Sequence, residues 1–235
     1  MRLLVGFVTI KGGHRVGISG SCVIENSKVI NINYIYSLNF RIAKEIIGSG
    51  QRVLREIINT ENNSIYNTLI VSPPGCGKTT VLRDIVRSLS SGIRDYKFKA
   101  LNVGIVDERG EIAALFRGIP QNDIGVKVDI LENVCKSIGM RMLVRSLSPK
   151  IIIADEIGTN EDVEAINYAV CSGVKGIFTA HGSSLQDLVL NPIIKNLISL
   201  NVIERIFFLD EYKKGNLKLI YYLDKKNKEY ILKGD

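Results

Sequence analysis

The stretch that most constrains this chain is LIVSPPGCGKTTVLRDIV, residues 69–86. An apolar run enters a loop ending Gly-Lys-Thr, and an amphipathic segment leaves it. A strand followed by such a loop and a helix forms a phosphate-binding nest, because successive backbone N–H groups converge at a helix N-terminus. Pro74, Gly75, Cys76, Gly77, Lys78, Thr79 and Thr80 are the expected nucleotide-binding residues. Glycine at 75 and 77 lets the backbone approach phosphate closely. Lys78 is placed to reach the terminal phosphates and Thr79 to ligate Mg²⁺. Ser72 stands where the pattern G-x-x-x-x-G-K-[ST] has its first glycine. That position lies at the strand exit, where Pro73 and Pro74 stiffen the turn, so the departure is tolerable.

Hydrolysis needs more than a loop. The segment IIIADE, residues 151–156, ends a buried run on two acids. Asp155 is expected to hold the Mg²⁺ shell, and Glu156 to polarise an attacking water. The same acids could be a plain solvated strand end, but their place after a phosphate loop in an α/β pattern favours the catalytic reading. The segment FTAHG sets Thr179 and His181 at another strand end, on the ligand edge of such a sheet. A polar residue there can sense the terminal phosphate; the alternative is a histidine that caps the strand. VDERGEIAA delivers Asp107, Glu108, Arg109 and Glu111 to the same edge, or else is a solvated loop.

Along the chain, residues 3–36 read as β structure, with turns at KGGH and ENSK. In NFRIAKEIIGSG, Phe40, Ala43, Ile46 and Ile47 share one helical face, which predicts a helix closed by Gly48. A second short helix is expected over 51–58. The polar NTENNS, residues 59–64, sets a domain boundary. From Ile65 onward, short apolar strands alternate with helices, which implies a mainly parallel sheet covered on both faces. Opening directly on a strand predicts a fragment of a longer chain.

With 46% hydrophobic and 23% charged residues, the 235-residue chain has the composition of an ordinary globular protein. No apolar stretch approaches the roughly 20 residues that span a bilayer. The start lacks a signal-peptide cleavage site, and a cytosolic location is expected. The four cysteines have neither C-x-x-C spacing nor clustered histidines, which disfavours metal or disulfide chemistry. The net charge of +7 allows an acidic partner, but its densest run, KKGNLKLIYYLDKKNKEYILKGD, reads as a solvated hairpin and tail.

The ordered set SPPGCGKTT, VDERGEIAA, GIPQNDIG, GMRMLVRSLSPKIIIADEIG, EDVEAI and TAHG resembles the stage III sporulation protein AA family. These are ATPases of endospore-forming bacteria, similar to type II and type IV secretion ATPases. The opening GFVTIKGGHRVGISGSCVIENSKVINI is similar too. The resemblance implies a RecA-like motor using ATP and Mg²⁺, assembled as a hexamer on a membrane channel complex of sporulation. It would lie at the cytoplasmic face of the membrane, on the mother-cell side.

The predicted fold is therefore α/β, a RecA-like P-loop NTPase core with a mainly parallel sheet over 61–235. A small α+β domain over 1–60 precedes it. DERGE matches the acidic box of the secretion ATPases in position but not in wording, which gives Glu108 a catalytic role by resemblance. TAHG matches their histidine box through His181, and LVRSLSPKIII makes Arg145 a site residue. Glu156, Lys78, His181, Glu108 and Arg145 are thus the expected catalytic set, with Thr79 and Asp155 on the metal. An arginine from a neighbouring subunit completes the site in this reading, with Arg109, Arg117 and Arg141 unranked.

Two other classes remain open. A nucleic-acid motor could share this core, although no tryptophan and few aromatics stand in basic context to stack bases. An ATP-dependent assembly scaffold without turnover is the other. No nucleic-acid partner is expected.

Overall fold

The computed structural model describes residues 6–234; the part of the predicted first strand at residues 3–5 lies outside them. The chain divides into two compact units. One comprises residues up to 45 together with 113–123, the other residues 46–112 together with 124 onward.

The smaller unit is built on an antiparallel meander of β1 (Phe7–Thr9), β2 (Arg15–Glu25) and β3 (Lys28–Arg41). Asn26 and Ser27 both take positive φ, +48° and +61°, between the paired Glu25 and Lys28. That two-residue loop matches the right-handed twist of the strands it joins. Here the structure corrects the sequence reading. The helix expected over residues 39–48 is absent: β3 runs on to Arg41, and residues 42–46 have no regular structure. Phe40 is paired with Val16 and Arg41 with Arg15. The hairpin ladder satisfies this backbone out to its end. Phe40, Ile46 and Ile47 are all exposed.

The larger unit begins with α1 (Gln51–Ile57), a short hairpin whose strands β4 (Ile58–Asn59) and β5 (Ser64–Ile65) have two residues each, and β6 (Thr68–Val71). Then come α2 (Lys78–Ser91), β7 (Val103–Asp107), β8 (Val128–Glu132), α3 (Lys136–Ser146) and β9 (Ile151–Ala154). The remainder is α4 (Asn160–Cys171), β10 (Lys175–Ala180), α5 (Leu185–Leu190), α6 (Pro192–Ser199), β11 (Arg205–Leu209), β12 (Leu217–Asp224) and β13 (Glu229–Leu232).

Among the described residues, eight strands form one sheet in the order β13-β12-β11-β6-β10-β9-β7-β8. The six strands from β11 to β8 are parallel, and β12 and β13 add an antiparallel edge. Period-two alternation sends Leu69, Val71, Val106, Ile152, Ala154 and Phe178 to one face. There they pack with Met140 and Leu143 of α3, Val163 and Ile166 of α4, and Leu197 of α6. Ile70, Ile105, Ile153, Ile177 and Phe207 alternate to the other face and are fully buried, on the side where α2 packs against β7. The strands β6, β7 and β9 are buried along their whole length and, apart from Thr68 and Asp107 at their ends, carry only apolar residues and one glycine, because both faces are covered.

The sequence reading put residues 51–58 with the first domain and the boundary at 59–64. In the structure α1 belongs to the larger unit. Val53, Leu54 and Ile57 are buried, and Asp84 of α2 accepts a hydrogen bond from the Gly50 N–H at 2.8 Å. Residues 113–123, which follow the acidic turn, return to the smaller unit. No helix among the described residues is long and apolar enough to cross a membrane.

Candidate nucleotide site

Parallel strands deliver the residues that follow them to a common edge. Ser72 follows β6, His181 follows β10, Asp155 and Glu156 follow β9, and Glu108 follows β7. Lys136, which opens α3, stands at the same edge after β8. The strand β10 separates the loop strand from the acid strand, and its end stitches the two together.

Gly77 caps α2 at φ +94°, a left-handed conformation that costs a residue with a Cβ about 1–2 kcal/mol. Gly75 is also left-handed, at φ +78°, and a Cβ there would meet nothing within 4 Å. The loop therefore leaves open space above Gly75. Beneath it, Lys78 is folded inward. Its Nζ donates to the carbonyl oxygens of Ser72 at 2.7 Å and Pro73 at 3.1 Å, and to the Ser72 hydroxyl at 3.2 Å. The serine in place of the usual glycine is thus a buried ligand of the lysine. Burial pushes the Lys78 ammonium below its ordinary value, with the charges of Asp155 and Glu156 opposing.

Lys78 Nζ also lies 3.2 Å from His181 Nδ1, and His181 Nε2 lies 2.7 Å from Glu156 Oε1. An ammonium can only donate, so Nδ1 accepts and Nε2–H donates to the carboxylate. His181 therefore bridges the loop lysine and Glu156. Arg109 pairs with the other Glu156 oxygen. Partial burial would raise the Glu156 carboxyl, but the His181 hydrogen bond and the Arg109 charge outweigh it and hold it below the usual range.

Asp155 is held from both sides. Thr79 Oγ1 donates to its Oδ2 at 2.8 Å, and Thr179 Oγ1 donates to its Oδ1. Thr179 Oγ1 accepts the Glu156 N–H at 2.8 Å, and the Thr179 carbonyl accepts from Ile157 N at 2.8 Å. Glu156 sits between these two bonds at φ +59°. A left-handed glutamate is strained and persists only where its neighbours over-determine it.

The acidic turn stands at this edge and is ordered, not the solvated loop of the alternative reading. Asp107 is buried and caps its own turn, accepting from Glu111 N at 2.7 Å and Ile112 N at 3.1 Å. Arg83 of α2 holds the same turn through the carbonyls of Glu111 and Ile112. Glu108 pairs with Lys136. A small cavity of about 20 Å³ is lined in part by Glu108, Glu111, Asp155 and Glu156. Beyond Glu156 opens a cleft of about 610 Å³, lined in part by Glu108, Arg109, Lys136, Thr159 and His181.

The structure thus brings together Lys78, Thr79, Asp155, Glu156, Thr179, His181 and Glu108, and it adds Lys136. Sequence reasoning missed Lys136 because β8 went unread, so nothing marked the following residue as an edge position. Arg145 is not brought to this edge. It lies exposed in the last turn of α3, and α3 runs back toward the start of β9, the opposite end of the sheet. Arg109 engages Glu156 of its own chain. Arg141 lies 3.6 Å from Glu164 and over the Tyr168 ring, and Arg117 of the smaller unit lies over Phe116.

Fold and side chains together define an α/β protein with a phosphate-loop sequence at the C-terminal edge of a mostly parallel sheet. The chain belongs to the sporulation stage III, protein AA family, whose model matches residues 1–228. It is 42% identical over 220 residues to stage III sporulation protein AA of Bacillus subtilis (strain 168), covering 93% of this chain and 70% of that protein. It is 30% identical over 189 residues to the uncharacterized protein ycf45 of Porphyra purpurea, covering 80% of this chain and 31% of that one. Among solved structures it is similar to the Legionella pneumophila ATPase DotB, with TM-score 0.58 and 14% identity, covering 92% of this chain and 59% of that one. It is also similar to the ADP-bound pilus retraction motor PilT, with TM-score 0.55 and 15% identity, covering 94% and 60%. The chain spans about three-fifths of each of these two structures, and at such identities the likeness is one of fold.

Proposed function

We propose that the chain is a RecA-like, Mg²⁺-dependent ATPase that drives a membrane-associated, secretion-like channel complex during endospore formation. The observation that carries this reading is the meeting of Thr79, Asp155, Lys78, His181 and Glu156 at one sheet edge. The resemblance to secretion and pilus motors supports the motor class, and the family supports the setting. Assembly as a hexamer at the cytoplasmic face of the membrane belongs to the same proposal.

The donor set fits the ligands. A threonine hydroxyl and a carboxylate 2.8 Å apart are hard oxygen donors of the kind Mg²⁺ takes. Bound there, the ion would neutralise charge on the phosphates. The backbone from Pro74 to Thr80 would cradle the phosphates, with Lys78 turning from its own loop carbonyls toward them. Glu156, kept ionised by His181 and Arg109, would orient water for in-line attack on the terminal phosphate. Thr179 would keep Asp155 and Glu156 in register. Glu108, positioned by Lys136, would bound the site on the side of β7. An arginine supplied across subunits is worth about 10³–10⁵ in rate, so an isolated chain should turn over slowly.

The test is steady-state ATP hydrolysis across protein concentration, for the wild type and Glu156→Gln, with and without DNA. Turnover that rises with concentration, disappears in the variant and ignores DNA is expected. Strong stimulation by DNA would favour a nucleic-acid motor. Tight ATP binding without turnover at any concentration would defeat the hydrolytic reading.

A further inference from the structure

A nucleotide has two ends, and the side chains above concern one of them. Lys78, His181, Asp155 and Glu156 all lie on the β10 and β9 side of β6. A triphosphate whose terminal group sits among them directs its base to the other side of the loop. The strand there is β11, which pairs with β6 in parallel from Arg205↔Thr68 to Phe208↔Val71. Its C-terminal end therefore emerges at the same edge, and it leads into the loop DEYKKGN, residues 210–216.

This loop is braced against the phosphate loop. Gly215 N donates to the Cys76 carbonyl at 3.0 Å, and a Cβ on Gly77 would lie 3.3 Å from Gly215 N. It is also internally fixed. Asp210 Oδ1 accepts from Tyr212 N at 2.7 Å and from Lys213 N at 3.0 Å, while Asp210 N donates to the Asn216 carbonyl at 2.7 Å. On this small scaffold stands Tyr212, 93% exposed, more than any other large hydrophobic among the described residues. Two lysines, Lys213 and Lys214, follow it. An aromatic ring held in water beside a phosphate site offers a π-face to any planar ring that arrives with the phosphates.

We propose that Tyr212 is the platform on which the nucleotide base stacks, making the 210–216 loop the base subsite of the phosphate-loop site. The proposal rests on the nucleotide-binding reading above. Base–aromatic stacking is sequence-tolerant, because every base has a π-face. The subsite therefore takes nucleoside triphosphates as a class and prefers purines, whose larger ring overlaps tyrosine better.

The test separates base from phosphate. Affinities for AMP-PNP and for inorganic tripolyphosphate, each with Mg²⁺, are measured by calorimetry for the full chain, Tyr212→Ala and Tyr212→Phe. Tyr212→Ala is expected to bind AMP-PNP about five- to a hundredfold more weakly, with tripolyphosphate unchanged and Tyr212→Phe close to wild type. Equal AMP-PNP affinity in Tyr212→Ala and wild type would overturn the proposal. So would an equal loss for both ligands, which would mark a deformed loop rather than a lost stack. A wild-type chain that binds neither ligand would instead overturn the phosphate site itself, and the base subsite with it.

Discussion

Replacing Thr179 by valine removes one hydroxyl and changes almost nothing else. Thr179 is fully buried in β10, and valine keeps its shape, its β-branch and its preference for strands. The hydroxyl donates to Asp155 and accepts from the Glu156 N–H. A hydrogen bond to a charged group contributes about 1.5–3 kcal/mol, and a buried N–H left unpaired costs about 1–3 kcal/mol. Asp155 keeps its bond from Thr79, and both acids are half-exposed, so water replaces part of each loss. The lower end of both ranges is therefore the appropriate one, about 2–3 kcal/mol in total. At a urea slope of about 2–3 kcal/mol/M this lowers the unfolding midpoint by roughly 1 M, with the slope unchanged. Thr179→Ser is the control: it keeps the hydroxyl and loses one methyl, at about 1 kcal/mol. Turnover should follow the same order, because the strap that holds Glu156 at positive φ is gone in valine and kept in serine. A Thr179→Val chain at least as stable as Thr179→Ser would refute the argument that this hydroxyl organises the two acids.

Arg109→Ala should move the acid limb of the hydrolysis pH profile upward, because the charge that helps hold the Glu156 carboxyl below its usual range is removed. An acid limb at the wild-type position would show that Arg109 does not tune Glu156. Glu204→Gln tests a carboxylate that is buried. Burial alone would raise Glu204, but hydrogen bonds from Lys225, Asn67 N and Lys175 hold it below its ordinary value. Its folded value lies below its unfolded one, so its stabilisation is present above the ordinary carboxylate range and is lost as pH falls through the folded value. The gap in urea midpoint between wild type and Glu204→Gln should therefore be wide at pH 7 and shrink in acid; a gap independent of pH would count against it.

Much of the larger unit could be read from the chain. The apolar runs at 68–71, 103–107, 151–154 and 175–180 are strands buried on both faces, and such strands announce themselves by composition. The helix over Asn160–Cys171 carries its own start signal, since Thr159 and Asp162 form a reciprocal capping box. Local signals misled where two structures competed for one segment. Residues 40–47 have helical spacing, yet the long β2–β3 ladder takes them up to Arg41. Val128–Glu132, only partly buried at the sheet edge, lacks the strong apolar signature of the central strands. The fate of residues 113–123, which leave the larger unit and return to the smaller, has no local signature at all.

The sequence by itself determined the phosphate loop, the acids at the end of an apolar strand, and the α/β alternation between them. Each is encoded within a few residues, by spacing and by polarity. Tertiary structure alone decided that β10 lies between the loop strand and the acid strand, so that Thr179 grips Asp155 and His181 joins Lys78 to Glu156. It also decided that Lys136 meets Glu108, that Arg109 meets Glu156 of its own chain, and that the 210–216 loop leans on Cys76. These meetings depend on strand order. Strand order is set by how whole faces pack across long sequence separations, which no local pattern records.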